Sequence, residues 1–177
     1  TLYWDGTDTS SSADGGNGVW ITSTSPLNWD DAETGGNAAF WTSGFSAVFG
    51  GTAGTVTLGS DITVATATFN VSGYELATAG HNLTISAFAG SGSFKKSGEG
   101  TLLMTGQGSS YSGNIVVSGG LLQLGTGWNV LGAYNSSVDK VTVASGATLD
   151  VAGVYDINYG LTLAGTGTAG QGAFINS

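Results

Sequence analysis

The feature that most constrains this chain is a spacing. Apolar-x-x-Gly-x-x-apolar-x-apolar occurs at Val56, Gly59, Ile62 and Val64, at Val116, Gly119, Leu122 and Leu124, and at Val143, Gly146, Leu149 and Val151. The second and third copies lie 27 residues apart. In each, a short strand meets a glycine, bends where a Cβ would be strained or would crowd a stacked neighbour, and restarts three residues later. A strand, corner and strand recurring at this period describe a coil whose turns stack on one another. The expectation is an all-β chain wound as a β-solenoid.

Composition supports this. Gly accounts for 32 of 177 residues, where about 7 % is usual, and helix propensity is poor throughout, with no 3.6-residue apolar stripe. Gly has no three-residue period and Pro occurs once, which excludes collagen. With 40 % hydrophobic residues the chain carries enough apolar surface to offset chain entropy, so it is not a disordered acidic tail.

Residues 51–177 read as solenoid repeats. Period-two alternation predicts strands at 55–58, 62–71, 83–85, 102–104, 115–117, 122–124, 141–143, 149–151, 161–163 and 173–175. Two-residue hairpins flanked by strands are missing from this part, which disfavours a sandwich or closed barrel. At about 22 to 27 residues per turn, the segment makes roughly five or six turns. Residues 1–50 differ and read as a Trp-rich N-terminal cap or the first turns, holding Trp4, Trp20, Trp29 and Trp41 and the acids Asp5, Asp8, Asp14, Asp30, Asp31 and Glu33.

Three Lys against twelve carboxylates give a net charge of −9. So few cations disfavour nucleic acid, whose phosphates need them, and anionic membrane surfaces. No apolar run is long enough for membrane insertion by a helix of this segment. Without Cys there is neither a disulfide nor thiolate chemistry.

The segment from Gly90 to Gly125 resembles the autotransporter-associated β-strand repeat, or passenger-associated transport repeat, of bacterial surface proteins. Lys96, Gly98, Gly100, Thr101, Leu102, Gly106, Tyr111 and Gly113 are in register with it. Phe94 and Met104 stand where Leu is usual, and Ser109 near the usual Asn. Trp4-Asp-Gly, Gly18-x-Trp20, Asn28-Trp29 and the segment 47–51 resemble stretches that precede such repeats. The resemblance implies a right-handed parallel β-helix in a secreted or surface-displayed passenger, hence an extracellular or cell-surface location. Residues 170–177 read as the opening of another strand rather than a capping segment, so the expectation is a fragment of a longer chain, or a subunit stacking head to tail on its neighbours.

The four Trp of residues 1–50 are the candidate ligand site. Indole faces bind sugar rings, which makes a carbohydrate-binding module the alternative function; against it stands a Trp-rich cap over the first turn, since an open solenoid end must be covered and Trp is normally buried. Asp30, Asp31 and Glu33 read as a solvated turn rather than a glycosidase pair, with no His or Arg beside them. Gly15-Gly-Asn-Gly18 begins a calcium-binding repeat, but Trp20 occupies the Asp position. Gly165-x-Gly167-x-x-Gly170 is followed by no helix to hold a pyrophosphate. His81 has no Cys or second His beside it, and the sequons at Asn70, Asn82 and Asn135 are common by chance in a Thr- and Ser-rich chain. No catalytic residue, metal or cofactor is expected.

Overall fold

The computed structural model describes residues 1–7, 10–106, 110–125, 129–132, 135–153 and 159–177; Asp8 and Ser109 lie outside them. The chain folds into two facing sheets, and from Ala47 onward successive strands alternate between them. One sheet collects β1 (Leu2–Trp4), β3 (Trp29–Asp30), β4 (Ala38–Ala39), β5 (Ala47–Phe49), β7 (Ile62–Phe69), β9 (Leu83–Gly90), β11 (Thr101–Met104), β13 (Gly120–Leu124), β15 (Ala147–Asp150) and β17 (Phe174–Ile175). The other collects β2 (Gly18–Trp20), β6 (Thr55–Leu58), β8 (Tyr74–Ala77), β10 (Phe94–Ser97), β12 (Ile115–Val117), β14 (Asn135–Val143) and β16 (Tyr159–Leu163). Each coil contributes one strand to each sheet, and from β5 onward every pairing is parallel. This is a β-solenoid of about five turns.

Register follows from keeping one face of every strand inward. Ile62, Leu83, Leu102, Leu122 and Leu149 form one continuous inward column, and Val64, Ile85, Met104 and Leu124 form the next. Opposite them, Tyr74, Phe94, Ile115, Val141 and Leu161 stack in the second sheet. From Ala47 onward, partners in successive coils lie 19 positions apart at the shortest, Leu83 to Leu102, and 27 at the longest, Leu122 to Leu149. All ten expected strands are present. Two more were not legible from alternation, β8 and β10, because Tyr74-Glu-Leu-Ala and Phe94-Lys-Lys-Ser place charged residues within the pattern.

The corner glycines serve both expected purposes. Gly146 has φ +86, a left-handed backbone, whereas Gly119 has ordinary φ and a Cβ there would come within 3.2 Å of Gly98 N in the coil beneath. Residues 1–20 form the first coil, with β1 parallel to β5 and β2 parallel to β6. The chain then leaves the coil, and β3 and β4 pair antiparallel on the far side of β1. In the first sheet the parallel ladder therefore stops at this end on two two-residue strands, too short to template another chain, while the second sheet ends on three-residue β2.

Candidate functional site

The four N-terminal Trp converge on one cluster. Trp29 lies 5.0 Å from Trp4, 5.0 Å from Trp20, 4.8 Å from Trp41 and 5.7 Å from Phe49, centroid to centroid. β1, β2 and β3 deliver the first three rings, and Trp41 follows β4. Exposure is 0 % for Trp4 and Trp20, 1 % for Trp29 and 2 % for Trp41, so the indole faces are occupied by one another and by Phe49. The Trp4 indole N–H donates to Gly16 O at 2.9 Å; those of Trp20 and Trp41 have no acceptor among the described residues. The large apolar side chains that do meet solvent around the cluster are Val19, Leu27, Phe40 and Phe45.

The acids nearby are separated rather than gathered. Asp30 is fully buried and Asp5 likewise, its Oδ1 accepting the Asp14 N–H at 3.1 Å. Asp31 is exposed and turned to Asn37, whose backbone and side-chain N–H groups hold its carboxyl below the usual range. No group of three His, Cys, Asp or Glu is placed to hold a metal among the described residues. His81 lies at the surface, 3.6 Å from Asp61. Gly167 precedes a single 3-10 turn at Thr168–Gly170 rather than an α-helix. Asn70 and Asn82 are exposed, and the Asn82 side chain accepts the Thr101 N–H at 3.3 Å; Asn135 opens β14.

The residues that carry the repeat motif are structural fasteners, a role that sequence reasoning missed. Lys96 points inward with no exposed surface. Its ammonium donates to Gly98 O at 2.7 Å, Gly119 O at 2.8 Å, Gly100 O at 3.0 Å and Thr78 Oγ1 at 3.0 Å. Burial lowers its pKa to about 8, so it stays mainly charged at neutral pH. Lys140 repeats the arrangement elsewhere, donating to Gly113 O and Tyr111 O and lying 4.4 Å over the Tyr111 ring; burial again lowers its pKa to about 8. The Tyr111 hydroxyl lies 2.8 Å from Gly92 O and 3.1 Å from Asn114 O, and burial raises its pKa well above the tyrosine range. For Lys96 the legible signal was an inward-phase Lys followed at two and four residues by Gly; Lys140, followed there by Thr142 and Ala144, carries no such signal.

Beside the Lys96 corner an open groove runs across successive coils, lined by Gly98–Thr101, Ser118–Leu121, Gly146 and 167–169. Its floor is backbone and small side chains, and it holds no pair of charged groups suited to acid–base chemistry.

No family model matches the chain, and no solved structure matches it. It is similar to the adhesin BmaC autotransporter of Brucella suis biovar 1, at 37 % identity over 176 aligned positions covering 85 % of this chain. The chain spans 5 % of the length of that relative. Inward Lys96, its glycine corner and the parallel stack give physical sense to the motif; the homologue is an autotransporter adhesin, and the β-solenoid is consistent with an autotransporter-passenger repeat.

Proposed function

We propose that the chain is a structural stretch of a surface-displayed or secreted bacterial passenger, a rigid stalk or spacer in an adhesin-like protein, without enzymatic activity. The observation that carries this reading is the unbroken parallel ladder from β1 to β17, in a chain similar over most of its length to an adhesin autotransporter. Such a stack transmits position along its axis and needs no reactive group. Residues 1–50 act as its cap and first coils, and residues 51–177 as its shaft.

The two ends differ. At one end β3 and β4 close the first sheet in antiparallel sense; at the other, β17 and β16 are the last strands of their sheets, and Phe174 and Leu163 are exposed. Stacking neighbours, whether further coils of a longer chain or another copy, add at the β16–β17 end.

Beads coated with the pure chain test the reading. A structural spacer leaves them non-adherent to host cells and silent on a glycan array. Binding to a sugar that disappears in Trp20→Ala and Trp41→Ala variants which still fold would replace the spacer reading with the carbohydrate-binding one. Electron microscopy of the same material should show short rods; long filaments would mean that the capped end also accepts a neighbour.

A further inference from the structure

Lys96 occupies a place in the stack where its neighbours are apolar. Leu76 lies on one side of it in the inward column and Val117 on the other, both fully buried. The aliphatic stem of Lys96 thus fills an apolar slot, and only the amine reaches polar atoms. These come from three successive coils: Thr78 follows β8, Gly98 and Gly100 flank the turn between β10 and β11, and Gly119 lies between β12 and β13. The Thr78 hydroxyl is itself placed to donate to Glu99 O at 2.6 Å or Ser97 O at 2.9 Å, which leaves its lone pair for the amine. No carboxylate makes an ion pair with Lys96 among the described residues. Space is reserved for the amine too, since a Cβ on Gly120 would stand 2.5 Å from Nζ.

We propose that this corner is a primary-amine site: an apolar slot ending in a crown of four oxygens drawn from three successive coils, which the chain fills with its own Lys96 and a short alkylamine fills when Lys96 is cut back. The crown exists only when the three coils are in register, because a one-residue slip of β10 turns Lys96 to the outer face. Lys96 is accordingly an internal ligand that pins register in the middle of the shaft, where apolar columns alone tolerate sliding of similar side chains.

Lys96→Ala removes the atoms from Cγ to Nζ, which are those of n-propylamine. Thermal unfolding of the full chain is followed by far-UV circular dichroism at neutral pH in rising n-propylammonium chloride. 1-Propanol and tetramethylammonium chloride serve as comparisons, with the unsubstituted chain in parallel. The variant should unfold ~10 °C lower. Its midpoint should then rise with the logarithm of n-propylammonium once the site begins to fill. 1-Propanol supplies the stem and a single donor, so it should restore less, and tetramethylammonium, which has no N–H, nothing. An equal response of variant and unsubstituted chain, or equal rescue by 1-propanol, overturns the proposal. Should Lys96→Ala fail to fold, Lys96→Met decides: it refills the slot without a donor, and should unfold at least ~5 °C lower and ignore n-propylammonium. A Met variant as stable as the unsubstituted chain would show that the oxygens require no amine, and would overturn the proposal equally.

Discussion

Cutting Trp29 back to Ala separates a packed cap from a ligand platform. Trp29 is 1 % exposed and has four aromatic neighbours with centroids between 4.8 and 5.7 Å. Loss of a buried Trp side chain costs ~3–5 kcal/mol through lost transfer energy and the cavity left behind, and the aromatic pairs, at ~0.5–1.5 kcal/mol each, place this site at the upper end, ~4–5 kcal/mol. The cost falls on the cap first, because a stacked protein couples each coil chiefly to its neighbours. Urea unfolding should show the loss. Hydrogen exchange should locate it, with protection falling at β1, β3 and β5 and persisting in β11 and β13. Trp29→Phe keeps one ring and should lose about half as much. A Trp29→Ala variant whose unfolding free energy lies within ~0.5 kcal/mol of the parent, the range of ordinary surface substitutions, would refute the reasoning; so would protection lost evenly as far as β17.

Other substitutions follow from the corners. Gly100 has φ +100 and a Cβ there would stand 2.2 Å from His81 O, whereas Gly80, with φ +87, has open space around it. Gly100→Ala should therefore cost more than ~3 kcal/mol and Gly80→Ala only the backbone strain of ~1–2 kcal/mol, as read by chemical denaturation. Tyr111→Phe leaves Gly92 O and Asn114 O without their buried hydroxyl and should cost ~1–3 kcal/mol in the same assay. Stability should also vary with alkaline pH. The folded-state pKa values of Lys96 and Lys140, lowered to about 8 by burial, mean that between about pH 8 and 10 the unfolded chain binds more protons. Their contribution to stability therefore grows as pH rises through that window and is lost as pH falls through 8. Tyr74, raised to about 12 by burial, and Tyr111, raised further, act oppositely above pH ~10, where the unfolded chain loses its phenolic protons first. The midpoint should pass through a maximum near pH ~10, with the rise diminished in Lys96→Met and the fall diminished in Tyr111→Phe. A midpoint declining steadily from pH 8 would contradict the assigned directions.

What was legible in the sequence was whatever repeats. Val, Ile and Leu at period two located strands because a parallel stack buries one face of each strand, and the Gly between them located corners. β1 to β5 are two or three residues long, too short to display a period, and they are held by what lies outside them: three indoles at the strands and one beyond β4. Trp content set residues 1–50 apart as a cap or first turns, but nothing in composition showed which of them form the first coil or that the ladder reverses at β3. The largest loss of information came from treating charge as a surface property. Two of the three Lys, Lys96 and Lys140, are buried and bound to backbone oxygens, so they belong to the core. The remaining one, Lys95, lies on the outer face, 2.7 Å from Glu75. A chain of net charge −9 thus offers one outward Lys, already paired, and its outer surface is more one-sidedly acidic than the residue count implies. Scarce cations in this fold are accordingly spent inside, where three peptide carbonyls and a hydroxyl turned in by a glycine corner need a donor that no apolar side chain supplies.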